Sequence, residues 1–153
     1  EEFSKVISIN LLGVFFCTKY VLPYMIKQKS GAIVNTASVA GFIGAPGLSA
    51  YVSSRHAVIG FTKCAALEAI NDGIRVNAVA PGPVNNRMMR SLEKSMGHGA
   101  DPAQVKASLT QGIPQGRYAE SEEVADLIYF LASDNASHIV GQAVRIDGGA
   151  GAS

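Results

Sequence analysis

The chain has 153 residues, is 48% hydrophobic and carries a formal net charge of +1. That length supports one domain with a real core, and the lack of a Lys/Arg block speaks against nucleic-acid partners or a basic membrane anchor. Cys17 and Cys64 sit far apart in apolar helical patterns. They read as buried free thiols of a reducing, cytoplasmic compartment, not as a disulfide or metal pair. The sequence opens Glu1-Glu2-Phe3 without an initiator methionine, which fits a piece of a longer polypeptide.

Taken in order, Phe3 to Lys27 has helical periodicity through Val6, Ile9, Gly13, Phe16 and Tyr20, with Pro23 threatening its last turns. The apolar stretch Val6 to Ile26 also holds Ser8, Asn10, Thr18, Lys19 and Pro23. It is expected to be too polar and broken to span a bilayer, and it lacks the pattern of a signal peptide. Ala32 to Thr36 is predicted as a short buried strand and Ser38 to Ser49 as a Gly-rich loop. Ala50 to Ile70 is the clearest helix, stopped by Asn71-Asp72-Gly73. Ile74 to Val79 follows as a strand, ended by Pro81-Gly82-Pro83. Asn85 to Gln115 is polar and Met-containing, expected as short helices within a mobile loop. Ser121 is the expected cap of a helix reaching about Ser133, and Ile139 to Ile146 the last strand. Helices alternating with short apolar strands imply parallel pairing and an α/β fold in one partial domain, residues 1–153. Ligands in such sheets sit beyond the carboxyl ends of the strands.

Chemistry is therefore expected after Thr36, after Val79 and after Ile146. Tyr51 and Arg55 stand four apart and share one helix face. A free phenol titrates near ~10, and a neighbouring cation favours the phenolate needed for acid/base work. Ser38 closes a strand thirteen residues before Tyr51, where its hydroxyl could polarise the same carbonyl oxygen. Asn10 is a candidate for a polar relay. Pro81-Gly82 supplies a tight turn with close backbone approach to a planar ligand.

Asn10-Leu11-Leu12-Gly13, Asn35-Thr36-Ala37-Ser38, Tyr51-Val52-Ser53-Ser54, Asn77-Ala78-Val79-Ala80-Pro81-Gly82 and Asp147-Gly148-Gly149 match in order and spacing one motif series. It resembles the C-terminal series of the short-chain dehydrogenase/reductase family. The resemblance implies the C-terminal half of a parallel-sheet, Rossmann-like doubly wound fold. It implies an oxidoreductase that interconverts an alcohol and a carbonyl with NAD or NADP. In that reading Tyr51 is acid/base, Ser38 stabilises the substrate oxygen and Asn10 supports a proton-relay water. Tyr51, Arg55, Pro81, Gly82, Val84 and Asn86 would line the cofactor. The whole protein would be a homodimer or homotetramer acting on a small alcohol or carbonyl compound, without membrane or nucleic acid. Arg55 stands where the family has lysine, and Asn86 where it often has threonine. Arginine is larger and differently aimed, so a second reading is a catalytically impaired, cofactor-binding or subunit-interaction protein.

The family's Gly-rich phosphate turn does not occur among these residues. Gly41 to Gly47 has the wrong spacing for it and reads as the loop between Ser38 and Tyr51. His56, His98 and His138 have no metal spacing and read as surface or cap residues, so no metal site is expected. Met88, Met89 and Met96 either line a substrate lid or pack ordinarily. Asp147 reads as a turn former.

Overall fold

Strand β2 (Ile74–Pro81) shows how sequence alternation builds the sheet. Ile74, Val76, Ala78 and Ala80 are fully buried and pack in clusters with Val58, Ile59, Ala65, Ala66 and Ala69 of helix α3 (Ser49–Ala69). Val79 faces the other way, into a cluster with Leu131 of helix α6 (Ser121–Ala132) and with Ala136. Period-two geometry turns one strand into two core faces. The computed structural model describes residues 1–96 and 100–152.

Strand β1 (Gly31–Thr36) lies parallel to β2 from Gly31↔Ile74 to Thr36↔Val79. Strand β3 (Ala143–Ile146) lies parallel on its other side, from Ala78↔Ala143 to Pro81↔Ile146. The order is β1-β2-β3, with helices on both faces. This is the α/β parallel arrangement expected from the alternating pattern.

Several boundaries differ from the sequence reading. The first helix is continuous over Glu2–Gln28. It consists of α1 (Glu2–Ile7), a π-helical segment Ser8–Leu12 and α2 (Gly13–Gln28), and it runs through Pro23 unbroken. Lys29, in the left-handed region at φ 54°, ends it. At mean hydropathy 1.6 this helix is long and apolar enough to cross a bilayer, so neither polarity nor a break excludes that. The fold engages its polar residues instead: Thr18 is buried and Asn10 bonds a side chain of α3.

The last strand starts at Ala143, not Ile139. Gly141 turns at φ 69° and the Ile139 carbonyl is taken by the Asn77 amide. Strand β2 includes Pro81, whose partner is Ile146. The region after it holds α4 (Arg87–Met96) and α5 (Pro102–Gln111). Glu120, not Ser121, caps α6, in a reciprocal capping box with Glu123. Cys17 and Cys64 are free, as expected, but exposed. Both fall on helix faces left uncovered among the described residues.

Candidate active site

The three strands end together, and their carboxyl ends carry the residues singled out in the sequence. Ser38 leaves β1 in extended backbone and caps the short 3₁₀ turn Val39–Gly41, its Oγ accepting from the Ala40 amide at 3.2 Å. The same hydroxyl donates to the Pro81 carbonyl at the end of β2, a long 3.4 Å bond. Gly41 lets this turn lie against α3, since a Cβ there would meet the Arg55 carbonyl oxygen at 2.9 Å.

Tyr51 and Arg55 occupy the first turns of α3, half-buried. The Arg55 guanidinium lies over the Tyr51 ring, 5.0 Å from its centroid. Its Nη1 donates to the Thr36 carbonyl at 2.9 Å. One side chain thus ties the tyrosine's helix to the end of β1, two residues before Ser38. Arg55 Nε is buried and has no partner among the described residues. Leaving a buried donor without an acceptor costs about 1–3 kcal/mol.

Asn10 falls in the π-helical segment, a distortion that recurs at functional sites. Its Nδ2 donates to Ser54 Oγ at 3.1 Å, and Ser54 Oγ donates to the Tyr51 carbonyl at 2.7 Å. Ser54 is fully buried. The sequence reading had placed Ser54 only within the Tyr51-Val52-Ser53-Ser54 motif, without a role.

The segment after β2 holds the remaining predicted residues. Gly82 donates its N–H to the Ile146 carbonyl at 3.0 Å, and a Cβ there would meet Asp147 Cα at 3.1 Å. Close backbone approach is therefore required by β3 itself, not only by a ligand. Val84 bridges to Ala119 in parallel pairing. Asn86 Oδ1 accepts from the Met89 amide at 3.0 Å and caps α4, which leaves its amide nitrogen to other partners. Asp147 is the turn former expected, accepting from the Gly149 and Gly151 amides at 3.1 and 2.9 Å.

Of the methionines, Met88 is exposed and Met89 is buried with Ile113, Tyr118 and Leu109. Glu93 is buried beside them and paired with Arg90 at 3.2 Å. Burial, and after it the Glu93 carboxylate, push the Tyr118 phenol up to about 12. Hydrogen bonds from Arg117 hold the Glu123 carboxyl down at about 2. His56 and His138 are exposed; His98 and the Met96 side chain lie outside the described residues. Among the described residues no cluster of His, Cys, Asp and Glu could hold a metal ion.

A family model described as Enoyl-(Acyl carrier protein) reductase matches residues 1–151. A 3-oxoacyl-(acyl-carrier-protein) reductase, FabG, of Thermotoga maritima is 46% identical over 149 residues, covering 97% of this chain and 57% of the relative. The crystal structure of a levodione reductase superposes with a TM-score of 0.96 at 41% identity, over 99% of this chain and 58% of that one. A structure of ElxO with NADP bound superposes with a TM-score of 0.83 at 39% identity, over 94% and 56%. The chain thus spans somewhat more than half the length of the proteins it matches.

Proposed function

The chain belongs to the short-chain dehydrogenase/reductase family, and on that premise we propose that the whole protein interconverts an alcohol and a carbonyl with NAD or NADP. The observation that carries the reading is the meeting of Ser38 with the end of β2, its Oγ on the Pro81 carbonyl at 3.4 Å, at the carboxyl ends of adjacent parallel strands. Residues 1–153 are read as one partial domain of a cytoplasmic enzyme, its site at the carboxyl ends of the strands.

The residues fit a nicotinamide cofactor on one observation. Arg55 Nε is a buried donor without an acceptor, and a ribose hydroxyl is an acceptor of the required kind. Tyr51, Arg55, Pro81, Gly82, Val84 and Asn86 are the residues that would hold that half of the cofactor. When bound, the cofactor supplies hydride exchange with the substrate carbon. In the reducing direction Ser38 Oγ donates a hydrogen bond to the carbonyl oxygen and keeps it polarised. Tyr51 gives its phenolic proton to that oxygen as the alcohol forms. Asn10, anchored on Ser54, supports the water that returns a proton to Tyr51.

The similarity to FabG and to a levodione reductase makes a 3-oxoacyl thioester and a cyclic diketone the first substrates to test. The assay is loss of NADH or NADPH absorbance by the whole protein. Turnover of either carbonyl class supports the reading, and no turnover with tight cofactor binding supports the second one. That second reading, a cofactor-binding protein with weakened catalysis, is favoured by one observation: Arg55 commits its Nη1 to Thr36 and its plane to the Tyr51 ring.

A further inference from the structure

The segment that follows β2 is held from outside the sheet. The Ala119 amide donates to the Pro83 carbonyl at 3.0 Å, and the Asn85 amide to the Ala119 carbonyl at 2.8 Å. These bonds flank the Val84↔Ala119 bridge. Next to them Asn85 Nδ2 donates to both oxygens of Glu120, at 3.0 and 2.9 Å. Glu120 is also the cap of α6. Its own N–H is bonded by Glu123 Oε2 at 2.7 Å, and Glu123 is gripped by Arg117.

Glutamate is an unusual N-cap, where Ser, Thr, Asp and Asn are preferred. A serine stands at the very next position. Glu120 is joined on two sides at once: its carboxylate accepts from Asn85 and its N–H donates to Glu123 in the first turn of the helix.

From this we infer that Asn85 and Glu120 are a positioning pair, which sets the register of Pro81–Val84 from the start of α6. The inference rests on the cofactor reading above, since those residues are the ones assigned to the nicotinamide. Asn85 and Glu120 are assigned as positioning residues and not as catalytic ones. They act by fixing that backbone, through a charge-assisted bond whose polarity can be reversed without changing its length.

The test uses that reversal in the whole protein. Asn85→Asp sets two carboxylates against each other, and Asn85→Asp with Glu120→Gln restores one amide and one carboxylate in swapped places. NADPH binding is followed by its fluorescence, alongside the thermal melt of the cofactor-free protein. Asn85→Asp is expected to weaken binding about tenfold, and the double variant to return within about threefold of wild type. At saturating cofactor kcat for Asn85→Asp recovers most of its value, so the loss reads in KM. Wild-type affinity in Asn85→Asp would overturn the inference. So would a double variant that melts like wild type yet binds as weakly as the single one. A wild-type protein that binds neither NADPH nor NADH would overturn the cofactor reading instead, whatever the variants do.

Discussion

Arg55 carries the most information of any single residue. It replaces the lysine expected from the family pattern, keeps the charge, and spends its donors differently. Nη1 reaches Thr36, the guanidinium covers the Tyr51 ring, and Nε finds no partner among the described residues. Lysine at this position would bring a compact, rotatable ammonium and no buried Nε–H. Arg55→Lys in the whole protein is therefore expected to raise kcat. Steady-state kinetics of the two forms check this, and an equal or lower value for lysine would show a site fitted to arginine. The candidacy of Ser38 and Tyr51 was legible in the sequence because one closes a strand and the other opens a helix thirteen residues later, and that of Asn10, inside the first helix, because it belongs to the same motif series. Their fastening was not. Ser54 joins Asn10 to α3 across 44 residues, and no local pattern reports a contact of that range.

At the scale of elements, the fold is stabilised by polar side chains that satisfy loose backbone ends. Asn77 is fully buried in β2, donating to the Ile139 carbonyl at 2.7 Å and accepting from the Gln142 amide at 3.0 Å. It fixes the approach to β3 and explains why that strand begins late. Asn77→Ala would orphan both backbone groups, each worth about 1–3 kcal/mol, for a loss near ~3 kcal/mol. Urea unfolding at unchanged m-value measures it. Arg117 and Glu123 at the start of α6 predict a pH effect with a definite sign. The Glu123 carboxyl is lowered from 4.5 to about 2, chiefly by its hydrogen bonds from Arg117. Its folded pKa lies below the unfolded one, so its contribution is complete above about 4.5 and is lost as pH falls toward about 2. Glu123→Gln should then melt below wild type at neutral pH, with the gap narrowing between those values. A gap that stays constant on acidification would contradict the assignment. Strand and helix identities were legible from periodicity alone, whereas their ends depended on partners such as Asn77 and Glu120 that lie far along the chain.

For the molecule as a whole, the first helix stands out. Its residues Phe3, Ile9, Phe16, Tyr20 and Tyr24 are exposed, as is Leu67 of α3. Contiguous apolar surface of this kind marks an interaction site, and it also explains why Cys17 and Cys64 lie open instead of buried. The sequence pattern gave these helices by their periodicity, and only the two cysteines on them were taken for buried residues. A homodimer or homotetramer of the whole protein is expected to cover that face. Light scattering at micromolar concentration checks it, a strict monomer being the contrary result. A charge on the stripe, as in Phe16→Glu, should then shift the assembly toward smaller species.

In the proposed reaction Tyr51 exchanges the proton while a nicotinamide exchanges the hydride. The most direct measurement is stopped-flow hydride transfer in the whole protein, wild type against Tyr51→Phe, with cofactor affinity determined on the same samples. The substitution removes one oxygen atom and leaves the ring under Arg55. Hydride transfer is expected to fall by at least about a hundredfold while NAD(P) affinity stays within about threefold of wild type. Transfer at the wild-type rate in Tyr51→Phe would contradict the account and remove Tyr51 as the acid/base.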